Sequence, residues 1–326
     1  MKRILVIKLS SLGDIAHGLY AVRALKERTG AAIDWVVQPE YAALLAACPD
    51  VERRIEFPRR RFWRGLPAFL RELRRERYDW IVDLQGLFKS ALTARLARGG
   101  RRIGPAWARE GAPWFYDEQP PKASGPRGHA VDELLAVAEL AAPAAGMGVP
   151  VPELRIPESD PDGRPGPHVA LAPFSRWSTK DWPLQKFAEL GRRLAREMGC
   201  RIRIMGSAAD AAAGETLAAE IGEGARSLCG QTDLPGLCAL LRGMDLLITV
   251  DSGPMHWADA LGVPLVAVFG ATDPARTGPF RQRDHVVVKD GLDCRPCHSR
   301  ICARGDLACL RTLEVEAVFQ AALERL

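Results

Sequence analysis

RILVIKLSSLGDIAHGLYAVRALKER, residues 3–28, begins as an apolar run and becomes, within a few small or polar residues, a stretch whose apolar side chains recur at helical spacing. A buried strand that turns so tightly into an amphipathic helix is the first half of a βαβ unit, from which parallel α/β sheets are built. The turn, SSLGD, sets Asp14 at the start of the helix. A carboxylate there either caps the helix by accepting backbone N–H bonds or stands at the carboxyl end of a strand as a general base.

The alternation continues outward. RILVIKL (3–9), AIDWVVQ (32–38) and DWIVDLQ (79–85) read as buried strands, with helices over 15–28, 40–47, 65–77 and 88–97. Proline and glycine gather between about 143 and 168 and end in PESDPDGRPGPH, a linker by composition. Strands resume at HVALAP (168–173), RIRIMG (201–206), DLLITV (245–250) and PLVAVFG (264–270). At 326 residues the chain exceeds the reach of one core. The expected architecture is α/β, two Rossmann-like parallel-sheet domains facing across a cleft, 1–155 and 168–326, joined by a linker over 156–167. The last helix, LEVEAVFQAALERL, can by its pattern pack on either domain.

The chain is 47% hydrophobic and 26% charged, ordinary for a globular protein. The apolar start is too short for a signal peptide and no window nears the roughly 18 apolar residues of a span, so a cytoplasmic protein with at most peripheral membrane contact is expected. The net charge of +5 is concentrated in RRIEFPRRRFWRGLPAFLRELRRERYD, residues 53–79. That segment is either a solvated helix face or a surface for an anionic partner.

Four loops that follow strands carry the polar residues. SSLGD holds Ser10, Gly13 and Asp14. In APFSRWSTKDWPLQKF (172–187), Ser178, Thr179 and Lys180 precede a helix and suit a phosphate, although the P-loop pattern is absent. In LLITVDSGPMHWADALGVPLVAVFG (246–270), Asp251, Ser252 and Gly253 close a strand, Pro254 begins a helix and His256 follows in its first turn. Such a helix start offers free N–H groups and a positive dipole end to a diphosphate. FGATDPARTGPF (269–280) adds Thr272 and Asp273.

Taken together, IKLSSLGDIAHGLYAV, YDWIVDLQGLFKSALTARLA and VDSGPMHWADALGVPLVAVFGATDP resemble glycosyltransferase family 9, whose members transfer heptose from ADP-heptose onto the inner core of lipopolysaccharide. WAREGAPWFYD and GHAVDELL look more like the enzymes that add the first heptose than those that add the second. The resemblance implies a GT-B glycosyltransferase with an inverting, metal-independent mechanism. It implies Asp14 as catalytic base and donor contacts from Ser10, Gly13, Ser178, Thr179, Lys180, Asp251, Ser252, Gly253 and His256. In GSAADAAAGE an alanine, Ala208, stands where relatives often place a ribose-binding acid, leaving Asp210 as the substitute.

The implied acceptor, a Kdo-bearing lipid A, explains the arginines. Arg59, Arg60, Arg61 and Arg64 can bind its carboxylates and phosphates, with Phe62, Trp63, Leu66 and Phe69 lying on the anionic inner-membrane surface beside them. Lys89, Arg109 and His129 are further acceptor-side candidates. No nucleic-acid module is recognisable, and a monomer at the cytoplasmic face of the inner membrane is expected. The competing readings are a second-heptose enzyme or related transferase using another nucleotide sugar, a nucleotide-sugar epimerase, and a non-enzymatic nucleotide-binding protein.

Eight cysteines divide unevenly: Cys48, Cys200, Cys229 and Cys238 are scattered, whereas Cys294, Cys297, Cys302 and Cys309 lie in DCRPCHSRICARGDLACL. The C-x2-C-x4-C-x6-C spacing leaves a structural zinc ion, an iron–sulfur cluster and reduced thiols as alternatives, none with a catalytic role.

Overall fold

The computed structural model describes residues 2–59, 62–122, 125, 127–143, 148–157 and 166–326, without the side chain of Phe62. The chain separates into two units, Met1–Arg155 and Ile156–Leu326. Arg60, Arg61 and most of the linker expected over 156–167 lie outside the described residues.

The first unit runs β1 (Arg3–Ile7), α1 (Leu12–Thr29), β2 (Ala32–Val37), α2 (Pro39–Leu45), β3 (Arg53–Glu56), α3 (Phe62–Leu73), β4 (Tyr78–Asp83), α4 (Phe88–Leu96), β5 (Gly99–Ile103) and α5 (Ala130–Ala141). Its parallel sheet has the order β3-β2-β1-β4-β5. β1 is apolar from Ile4 through Ile7 because it lies between two strands and is covered on both faces, and all four side chains are fully buried. The register sets Ile7 beside both Val36 and Asp83, so β1 and β4 end level with each other.

The second unit runs β6 (His168–Ala172), α6 (Leu184–Met198), β7 (Arg201–Ile204), α7 (Ala211–Ile221), β8 (Ala225–Ser227), α8 (Leu234–Arg242), β9 (Leu246–Val250), α9 (Gly253–Leu261), β10 (Leu265–Phe269), α10 (Pro274–Thr277), β11 (Val286–Val288), α11 (Ala308–Arg311) and α12 (Val315–Leu323). Its sheet, also parallel, is ordered β11-β10-β9-β6-β7-β8. Val315, Val318, Phe319 and Ala322 of α12 join the core of this unit, so the last helix packs on the second unit and not on the first.

The arginine-rich segment is partly consumed by the fold. Arg53, on β3, forms ion pairs with Asp34 (3.0 Å) and Glu72 (2.9 Å), and Arg3 reaches the other oxygen of Asp34 (3.0 Å). Phe69 is not laid on a bilayer as expected. It is buried against the Phe57 ring at 5.5 Å, and Leu66 packs on the same core, because α3 must cover one face of the sheet.

Candidate active site

In the first unit, the strand order reverses between β1 and β4, where ligands of doubly wound sheets bind. The chain leaving β1 places Asp14 in the first turn of α1. Its Oδ2 accepts from the Ser11 N–H (2.9 Å) and hydroxyl (2.7 Å), and its Oδ1 lies 3.4 Å from the buried Lys8 ammonium. The carboxylate therefore caps the helix, yet its side chain stays 47% exposed. Burial among its neighbours pushes the carboxyl up, but the Lys8 charge and the Ser11 donors, with help from His17, outweigh that and hold it well below the usual carboxylate range. Asp14 is thus ionised throughout the neutral range.

Lys8 is fixed by a bond to the Leu84 carbonyl (3.0 Å). The β4–α4 turn contributes Gln85, whose Oε1 accepts from the Leu9 N–H (3.1 Å) and the Ser10 N–H (3.4 Å). Neither Lys8 nor Gln85 carries a signal in the sequence beyond its place next to a strand end.

Of the acceptor candidates, Arg64, Lys89 and Arg109 are exposed, and Arg59 is 65% exposed with Glu40 at 3.8 Å. Arg60 and Arg61 fall outside the described residues. His129 departs from expectation. It is 2% exposed, caps α5 by accepting from the Val131 N–H (3.1 Å), and sets its ring 5.8 Å from that of His17. That bond and the contact with His17 tie the start of α5 to α1.

In the second unit the strand order reverses between β6 and β9, and the two expected donor loops leave these strands. Lys180, in a short turn over Ser178–Lys180, places its ammonium 2.6 Å from Asp251 Oδ2 and 4.7 Å from the centre of the Trp177 ring. Thr272 donates to the same Asp251 oxygen (2.7 Å). Asp251 is consequently a neutralised anchor for Lys180, and an ammonium with three N–H bonds keeps two for a phosphate. Ser252 is the N-cap of α9, with Gly253 and Pro254 opening the helix; its hydroxyl makes no capping bond, so the first N–H groups of α9 are not closed off by that side chain. His256 is buried at the fourth position of the helix.

Two further donor candidates also hold local structure. Thr179 is buried and donates to the Ser299 carbonyl (2.7 Å). Asp210 accepts from the Ser207 N–H (2.8 Å) and hydroxyl (2.6 Å), closing a capping box ahead of α7.

Thr179 leads to a feature the sequence does not announce: the cysteine-rich segment braces the donor loops. His298 N–H donates to the Ala271 carbonyl (2.8 Å), Arg295 Nε to that of Gly270 (2.6 Å), and the Arg300 guanidinium lies 4.7 Å over Trp177. Cys294 and Cys297 are exposed, Cys302 is half-buried and Cys309 buried, all as free thiols. Among the described residues no three histidine, cysteine or acidic side chains stand in an arrangement that could hold a metal ion. No helix among them is long and apolar enough to cross a membrane.

Residues 66–308 match the model of glycosyltransferase family 9 (heptosyltransferase). Lipopolysaccharide heptosyltransferase 1 of Pseudomonas aeruginosa is 32% identical over 325 residues, covering 92% of this chain and 87% of its own. Among solved structures, E. coli ADP-heptose LPS heptosyltransferase II matches with a TM-score of 0.81 at 25% identity over 99% of this chain and 98% of its own. E. coli heptosyltransferase WaaC with ADP matches at 0.77 and 27% identity over 99% and 100%.

Proposed function

The chain belongs to glycosyltransferase family 9, and from that premise we propose how it acts as a lipopolysaccharide heptosyltransferase: it moves L-glycero-D-manno-heptose from ADP-heptose to the Kdo-bearing lipid A inner core, with inversion at the anomeric carbon. It is the first-heptose member of the pair. The observation that carries the mechanism is the Asp14 carboxylate, ionised and partly exposed at the point where the first sheet reverses.

In this reading Asp14 takes the proton of the acceptor hydroxyl as the freed oxygen attacks the anomeric carbon. The bond from that carbon to the diphosphate breaks, and its electron pair leaves with ADP. Charge growing on the diphosphate is met by the Lys180 ammonium and the first N–H groups of α9, fixed donors that need no reorganisation as the reaction proceeds. Asp251 and Thr272 hold Lys180 in place. No step uses a metal, and the thiols of the cysteine-rich segment have a structural role beside the donor loops. Arg59, Arg60, Arg61 and Arg64 meet the acid groups of the acceptor, and the exposed Trp63 lies with them against an anionic membrane surface at its cytoplasmic face. The protein acts there as a monomer.

ADP release from ADP-heptose, with and without a Kdo-bearing lipid A, tests this. Release is expected to require the acceptor and to fall by about 10²- to 10⁴-fold in Asp14→Asn, the worth of a general base, with ADP binding retained. Acceptor-independent release, as an epimerase or hydrolase would give, or an active Asp14→Asn, would sink the mechanism.

A further inference from the structure

A general base is useful only where its backbone holds it. The chain between β1 and α1 leaves the sheet at Leu9 and Ser10, where β4 has already turned away and can no longer accept ladder bonds from it. The two N–H groups at that point are taken by one side chain, the half-buried Gln85, whose Oε1 stands 3.1 Å from Leu9 N and 3.4 Å from Ser10 N. Two donors facing one amide fix which end of it points at them: the oxygen. The next residue, Ser11, supplies both donors that hold Asp14 Oδ2.

Gln85 is itself rigidly set. Its N–H donates to Asp83 Oδ1 (2.7 Å), as does that of Gly86 (3.2 Å), and the fully buried Asp83 is tied through Oδ2 to the Tyr116 hydroxyl (2.6 Å). Gly86 has φ +71, and a Cβ there would meet Pro105 Cγ at 2.6 Å, so the turn that aims Gln85 is shaped for that residue alone. The Leu84 carbonyl in the same turn holds Lys8, the cation beside Asp14 Oδ1. One turn therefore governs both oxygens of the carboxylate, through Ser11 on one side and Lys8 on the other.

We infer that Gln85 is a positioning residue for the base, its amide oxygen clamping the Leu9–Ser10 backbone so that Asp14 is held in line with the acceptor hydroxyl. The inference rests on the reading of Asp14 as the base. It extends the reacting machinery to a side chain that itself touches no substrate.

The test is a cycle of Gln85→Met, Gln85→Glu and Asp14→Asn, assayed by acceptor-dependent ADP release. Methionine keeps the length and removes the acceptor oxygen. It is expected to lower kcat about 10- to 100-fold, the cost of a displaced reacting group, with the KM for ADP-heptose within about twofold. Glutamate restores an oxygen that accepts the same two N–H groups, so most of kcat returns, while its charge near Asp14 moves the acid limb of the pH profile upward. In the Asp14→Asn background, Gln85→Met is expected to cost nothing further, because a residue acting through the base has no effect once the base is gone. Should Gln85→Met not fold, Gln85→Asn, which withdraws the same oxygen by one methylene, takes its place. A kcat unchanged in Gln85→Met, or a penalty that persists undiminished with Asp14→Asn, would overturn the inference while leaving Asp14 as the base. An active Asp14→Asn would overturn both.

Discussion

The Asp14 carboxylate gives one oxygen to Ser11 and leaves the other to Lys8. That arrangement keeps the carboxylate ionised and, in its proposed role as base, also weakens it, because a carboxylate held below its usual range binds a proton poorly and Brønsted behaviour favours a stronger one. The balance is tolerable if proton transfer runs late, after the bond to ADP has begun to break. Removing the cation exposes the trade. Lys8→Met is expected to raise the Asp14 carboxyl and to shift the acid limb of kcat/KM upward by about one pH unit, the lower end for an opposite charge at this range in a half-exposed site. The sign follows from the native value lying below that of the unfolded chain: the pair contributes stability above about pH 4 and loses it as pH falls further. A pH–rate profile of the variant checks this, and an unmoved acid limb would separate Lys8 from the base. Asp14, Lys180 and Asp251 stand out in the sequence as candidates because each follows a strand at the end where ligands of such sheets bind. Lys8 and Gln85 do not, since a lysine and a glutamine beside strand ends look like solvent-facing residues until the register of β1 with β4 brings them together.

At the level of elements, the turn after β4 depends on a contact from further along the chain. Tyr116 reaches Asp83 past Gly104, and a Cβ on Gly104 would clash with the Cδ2–Cε2 edge of the tyrosine ring. Burial pushes the Asp83 carboxyl up, and the Tyr116 hydroxyl with the Gln85 and Gly86 N–H groups opposes that rise. Gly104→Ala must therefore displace the ring and loosen the turn that holds Gln85. It is expected to cost about 1–3 kcal/mol by overpacking, read by denaturant unfolding, and to lower kcat more than the KM for ADP-heptose. A variant as stable and as active as the parent would show that Tyr116 does not support the turn. The central strands were readable as apolar runs because both their faces are covered. Those missed, β3, β5, β8 and β11, all lie at sheet edges. β3, β8 and β11 have only three or four residues, and three of the four edges carry arginine, as edges do where pairing with other chains must be discouraged.

Across the whole molecule, the two units share one plan: each sheet reverses its strand order beside its first strand, and each places its polar loops at that reversal. The alternating pattern, begun twice, was enough to see this. What the pattern could not apportion was charge. Arg53 and Arg3 neutralise the buried Asp34, so the positive balance of residues 53–79 overstates what is free to meet an acceptor. On the donor side, ADP is expected to bind through loops of Ile156–Leu326, with Asp14 taking no part. A ligand at 100 times its Kd stabilises the folded state by about 2.7 kcal/mol, which for a unit of this size raises the melting temperature by roughly 5–10 °C. Calorimetry should find that rise undiminished in Asp14→Asn and largely lost in Lys180→Ala, where a phosphate loses its cation and Asp251 its partner. Loss of the shift in Asp14→Asn would place the nucleotide against the first unit and reverse the roles of the two, whereas a full shift in Lys180→Ala would leave the diphosphate to the N–H groups of α9 alone.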